Sequence, residues 1–183
     1  LSLLERRAPG VLVDWLEQLA VSQRIQAPAI VVRRKVYEEL GGFHPGLFHA
    51  GDWDMWKRVA AHYPVWYEPS PLACYRVHAS SDTSKLNRSG GNYANTRKAI
   101  EAARAYLPET IAEEVSRKSY EHYAISALSA ARRSLISHDP AAAVALIREA
   151  FRCSRSARTI GALIRLGLWS IRAGARATIR RPS

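Results

Sequence analysis

The sequence predicts a mixed α/β or α+β segment over residues 1–84 followed by an all-α helical extension over residues 85–183, and three observations draw that division. Up to about residue 80 short helical and extended patterns alternate, whereas beyond about residue 92 every apolar pattern has a helical period. The residues between, 80–92, are polar and glycine-bearing, as a loop or linker is. Charge changes at the same place: residues 1–83 carry 9 Lys/Arg against 9 Asp/Glu, while residues 84–183 carry 18 against 7 and so hold the whole net charge of +11.

In the first segment, Val11, Trp15, Leu19 and Ser22 recur at a helical spacing, and Ala29-Ile30-Val31-Val32 is a β-branched run suited to a buried strand. Val36-Tyr37-Glu38-Glu39-Leu40 reads as a brief helix ended by Gly41-Gly42, because glycine takes a left-handed C-terminal position without steric cost. From about Asp54, the apolar residues Trp56, Val59, Ala60 and Tyr63 mark one face of a helix that Pro64 stops. Val65-Trp66-Tyr67 and Leu72-Ala73-Cys74-Tyr75-Arg76-Val77 then read as extended, separated by Pro69 and Pro71.

In the second segment, helices are predicted over residues 93–107, 109–137, 140–152 and 157–179. Asp139 stands where an N-cap belongs, and Pro140 at the first helical position has no N–H to leave unpaired. Tyr120, Tyr123, Ala124, Ala127, Leu128, Ala131 and Leu135 give the longest helix an apolar stripe, so a small helical bundle is expected.

At 183 residues and 48% hydrophobic content the chain can bury a core, which excludes a disordered segment. No charge-free apolar run reaches the ~18 residues of a transmembrane helix, and the order of charge and apolarity from Leu1 to Arg7 is not that of a secretory signal. The first residue is Leu1 rather than Met; truncation of a longer product is the expectation, and tag removal or processing gives the same start. Cys74 and Cys153 have no metal-knuckle or redox-pair spacing and are expected to be reduced core thiols of a cytosolic protein.

Four groups that could carry chemistry lie close together in sequence: His44, His49, Asp52 and Asp54. None has the helical spacing of a zincin pair. Either aspartate can cap the helix that follows, with Asp54 the expected cap. The carboxylate left over, at a loop-to-helix junction beside Trp53, is placed as a general base should be, since a sugar hydroxyl is a poor nucleophile until it loses its proton. Trp53 offers an aromatic face for a sugar ring or belongs to the core; Trp56, on the apolar side, reads as core.

The series Val31-Val32-Arg33-Arg34, Glu38-Glu39-Leu40-Gly41-Gly42-Phe43, Gly51-Asp52-Trp53-Asp54-Met55-Trp56-Lys57-Arg58 and Pro71-Leu72-Ala73-Cys74-Tyr75-Arg76-Val77-His78 resembles, in order and spacing, family 2 glycosyltransferases over about residues 11–84. The resemblance implies the C-terminal, acceptor-side part of a GT-A α/β domain and inversion at the anomeric carbon. It places the catalytic base at Asp52 and the acceptor side at Gly41, Gly42, Phe43, Trp53 and Asp54. Arg76 and His78 would stand near the donor diphosphate, although Arg76 reads equally as a surface partner for an acid. The sequence departs from the family pattern at Gly51 and His44, where acids are usual. A divalent metal, Mg or Mn, is implied as cofactor, bound mainly by residues absent from this chain. The substrates implied are a nucleotide-sugar donor and a hydroxyl acceptor, as in cell-envelope polysaccharide or glycolipid synthesis.

From Phe151 onward there are eight Arg and no acid. On a helical wheel Arg158, Arg165, Arg172 and Arg176 form one stripe bordered by Trp169, opposite Ile160, Leu163, Ile164, Leu168, Ile171 and Ala175. Residues 157–181 therefore suit an anionic membrane interface, or else a helix that packs its apolar side on the bundle and solvates its arginines. No recognisable motif supports nucleic-acid binding. The expected location is cytoplasmic and peripheral at the inner face of the membrane. The competing expectation is a helical interaction or anionic-surface-binding module without catalysis of its own.

Overall fold

A computed structural model describes residues 5–76, 86 and 90–179, with side chains to 172. The fold class expected for the first segment is not what these residues form. Among the described residues there are seven α-helices and a single two-stranded antiparallel sheet, which is neither an α/β domain nor part of a GT-A sandwich.

Strand β1 (Gly10–Val11) pairs with β2 (Trp66–Tyr67) in the register Gly10 to Tyr67 and Val11 to Trp66, and Leu12 N–H adds a bond to Val65 O at 2.9 Å. The extended reading of Val65-Trp66-Tyr67 thus holds. Its partner strand occupies the start of the segment read as helical, and helix α1 begins only at Trp15 (Trp15–Val21).

The predicted strand Ala29-Ile30-Val31-Val32 is absent. Ala27–Ala29 is a 3-10 turn around Pro28; Ile30 is extended, but no strand lies alongside it among the described residues, and Val31 is 100% exposed. An extended segment becomes a strand only when its N–H and C=O groups find a ladder. The second predicted run fails for the same reason: Leu72 to Arg76 is exposed and unpaired beyond Pro69 and Pro71, and Val77 lies outside the described residues. Cys74, expected in the core, is accordingly exposed; Cys153 is buried.

Helices α2 (Arg34–Leu40) and α3 (Gly51–His62) follow the sequence pattern, except that α3 starts a turn before Asp54. The later helices are α4 (Gly91–Ala103), α5 (Glu109–Ile136), α6 (Pro140–Cys153) and α7 (Ala157–Ile179). Asp139 caps α6 as expected, its Oδ1 accepting Ala142 N–H at 3.0 Å with Pro140 in the first turn.

The chain forms two compact units that are not consecutive stretches: Leu1–Ser81 with Asn95–Ser119, and Asp82–Ala94 with Tyr120–Ser183. In the first unit Ala20 packs with Ala103, Leu107 and Val115, and Ser119 Oγ donates to Val21 O at 2.9 Å. In the second, the stripe that includes Ala124, Ala127, Leu128 and Ala131 on α5 meets Ala143, Leu146 and Ala150 of α6 and Leu166 of α7. No described helix is long and apolar enough to cross a membrane.

Candidate active site

The site is built around the first two turns of α3. Ala50 occupies its N-cap position and offers no side-chain acceptor, so the free N–H groups of the first turn need other partners. Asp52 supplies one, its Oδ1 accepting Trp53 N–H at 2.7 Å. The expected cap by Asp54 is not made: both aspartates lie inside the first turn, and it is Asp52 that takes up one of its N–H groups.

Asp52 is half-buried, and burial pushes its carboxyl above the ordinary Asp range. The Trp53 N–H, the nearby His49 and the Gln23 side chain all favour the ionised form and only partly offset that push. The helix dipole acts in the same direction as these, at roughly 0.3–1 kcal/mol. A desolvated carboxylate beside polar groups is more basic than one in water, which is what a general base requires.

Asp54 has the opposite fate. It is 1% exposed; one oxygen accepts Arg58 Nε at 3.0 Å and the other accepts the Tyr106 hydroxyl at 2.9 Å. Burial first, and then the Asp54 charge, hold the Tyr106 hydroxyl far above its ordinary pKa. No acceptor can reach Asp54 in this structure, so its place on the acceptor side is corrected to that of an internal anchor. Trp53 is corrected likewise: it is 2% exposed, and its indole N–H is donated to Leu19 O at 2.7 Å, which ties α3 to α1. Trp56 is core, as expected.

Arg58 carries the network to the Gly-Gly-Phe turn. It donates to Leu40 O at 2.8 Å and to Gly42 O at 2.7 Å. Gly41 ends α2 at φ 76°, ψ 174°, a conformation that a Cβ would strain. The turn delivers Phe43 against Trp56, edge-on at 5.9 Å between ring centres, and within 6.1 Å of Tyr37, with half of the Phe43 ring left in water.

The structure thus links Gly41, Gly42 and Phe43 to the helix that carries Asp52, through Arg58. It does not bring Arg76 in, which lies exposed in the coil after β2. His78 lies outside the described residues.

Four contributors were not singled out from the sequence. Gln23 and Tyr106 reach the aspartates from distant elements, and no local pattern announces them. Lys57 is fully buried, with Nζ 3.9 Å from the centre of the Trp53 ring and donating to Ala99 O at 2.8 Å; the signal was its position among apolar neighbours on α3. Phe48, in the loop between Phe43 and Asp52, is 84% exposed, an aromatic in a polar run of His, Pro and Gly.

The residues present do not suit the implied divalent metal. Among those described, no three His, Cys, Asp or Glu side chains form a group that could hold one. Asp54, the other carboxylate of Asp-Trp-Asp, is already engaged by Arg58 and Tyr106.

Comparison with protein-family models, with curated proteins and with solved structures returns no match. The likeness to family 2 glycosyltransferases stands on the residues of the sequence motifs alone.

Proposed function

We propose that these residues supply the acceptor side of an inverting glycosyltransferase, with Asp52 as the base that removes the proton from an acceptor hydroxyl. One observation carries the reading: of the two carboxylates in Asp-Trp-Asp, Asp54 is consumed by Arg58 and Tyr106, while Asp52 stays half-open with its basicity raised by burial. The half-exposed ring of Phe43 and the exposed ring of Phe48 give the loop ahead of Asp52 apolar faces of the kind that the C–H face of a sugar stacks on.

In this reading the acceptor oxygen attacks the anomeric carbon of a nucleotide-diphosphate sugar as Asp52 takes its proton, and the nucleoside diphosphate leaves from the opposite side. The donor site would come from further polypeptide, for which the bare apolar positions Val13, Val31 and Leu72 offer contact surface. Nucleotide-sugar chemistry fits a cytoplasmic setting. No step is routed through a metal ion, because the side chains here do not make a site for one.

The test is sugar transfer by the complete enzyme carrying this sequence, assayed over a panel of nucleotide-diphosphate sugars. Asp52→Asn should lower kcat by about 100-fold or more with donor binding intact, and Asp52→Glu should recover part of it. Turnover near the wild-type rate in Asp52→Asn would sink the assignment.

The predominance of helices favours a second reading, a helical interaction module without catalysis. Under it, the double change Asp52→Asn and Arg76→Ala leaves function intact.

A further inference from the structure

We infer that α7 docks this protein onto an anionic lipid surface through the face that carries Ile160, Ile164, Leu168 and Ile171. The inference is independent of the sugar-transfer reading, since it uses only the second compact unit.

The packing of α7 bears on both roles that the sequence left open for this helix. At ~100° per residue, α7 divides into three faces. Thr159 and Leu166 are buried, and Ala162, Leu163 and Trp169 pack beside them on the core of the second unit. Arg132 lies 4.8 Å from the Trp169 ring centre and closes that side. Ile160, Ile164, Leu168 and Ile171 belong to a different face, and each is between 44% and 71% exposed. The bundle is therefore packed by one apolar face while a second stays in water, and among the described residues of the stripe opposite the arginines only Leu163 turns inward.

Arg158, Arg165 and Arg172, all exposed, occupy the sector beside that second face. Arg158 is engaged by Glu121 Oε2 at 2.9 Å, so among the described residues of that sector Arg165 and Arg172 are the cations offered. No acid occurs anywhere from Phe151 onward to oppose them. An exposed Ile/Leu stripe flanked by arginines, on a helix too polar to span a bilayer, matches a helix lying in the headgroup layer: aliphatic side chains toward the acyl region, guanidinium groups among the phosphates.

A second copy of the chain fits this face less well. In a coiled-coil seam through Ile160, Ile164 and Ile171 the fourth core position is Gly167, which has no knob to insert. Nucleic acid would use the arginines but has no use for the exposed isoleucines.

The experiment is co-sedimentation of the full chain with vesicles of phosphatidylcholine alone and of phosphatidylcholine containing phosphatidylglycerol, at low and high salt. Two exposed-site variants, Ile164→Asn with Leu168→Asn and Arg165→Gln with Arg172→Gln, are compared with wild type, their folding checked by circular dichroism. The expected result is binding to the anionic vesicles only, weakened by salt and reduced by on the order of tenfold in each variant. No binding, equal binding to neutral vesicles, or anionic binding undiminished by the Asn variant would overturn the inference. So would a wild-type dimer that the Asn variant dissolves without any vesicle binding, or salt-sensitive binding to DNA in place of vesicles.

Discussion

Arg58 and Asp54 are one helical turn apart, and their ion pair at 3.0 Å lets α3 brace the Gly-Gly-Phe turn. The guanidinium satisfies a buried carboxylate with Nε while its two terminal nitrogens hold the carbonyls of Leu40 and Gly42. A planar fork can serve three acceptors at once, which the single ammonium of lysine cannot do in the same geometry.

Breaking this brace should be costly. Arg58→Ala leaves Asp54 buried with only the Tyr106 hydroxyl, and removing one partner of a buried pair costs ~3–5 kcal/mol. Arg58→Lys should lose about 1 kcal/mol or more for each carbonyl contact it cannot remake. Urea denaturation midpoints measure both; a loss within the scatter of ordinary surface substitutions for Arg58→Ala would show that the brace is dispensable.

How far the sequence could be read follows the range of the interactions involved. Helices α4 to α7 and the Asp139–Pro140 cap were legible because period, capping and proline chemistry act within a few residues. The strands were not: Val31 has the right side chain for a sheet but, among the described residues, nothing beside it to pair with, and pairing depends on distant chain. In the candidate site, Asp52 and Phe43 are singled out by local motifs. The division of labour between Asp52 and Asp54 was not, because it depends on Tyr106, which is 52 residues from Asp54.

Asp52 should cost stability when ionised. Its pKa in the folded chain is raised above the ordinary Asp value, so the folded state binds the proton more readily than the unfolded one. Stability is then lost as pH rises from near 4 through the raised pKa. Asp52→Asn should remove that slope and melt higher than wild type at pH 7, by roughly 2–4 °C or less once solvent screening at a half-open site is allowed for. Melting curves at pH 4 and pH 7 test it; an Asn variant less stable than wild type at pH 7 would show that the carboxylate is there to hold the helix start.

Helix α5 ends on a non-glycine residue in the left-handed region, His138 at φ 58°. Asp139 N–H reaches back to Ser134 O at 2.8 Å and His138 N–H to Leu135 O at 3.1 Å, the paired bonds of a Schellman turn. That position favours glycine, so His138→Gly should stabilise the protein by about 1 kcal/mol. Chemical denaturation measures the gain, and a loss would mean that the imidazole makes a compensating contact.

Lys57 should make stability rise with pH. Burial lowers its pKa in the folded chain to about 7, against the ordinary lysine value of 10.5, while the Asp54 charge works the other way. Below pH 7 both states carry the proton and the full cost of the buried ammonium is present. Between pH 7 and 10 the unfolded chain keeps its proton and the folded chain releases it, so stability climbs by up to about 1.4 kcal/mol per pH unit. Asp54, whose charge acts on Lys57, is itself bound by Arg58 and Tyr106. Tyr106, held protonated in the fold, contributes stability that is present below pH 10 and lost above it, so the curve should turn over there. Lys57→Met keeps most of the side-chain volume, gives up the bond to Ala99 O and has nothing to titrate. Denaturation midpoints from pH 6 to 9.5 should rise for wild type and stay flat for Lys57→Met; an equal rise in both would assign the slope to another group.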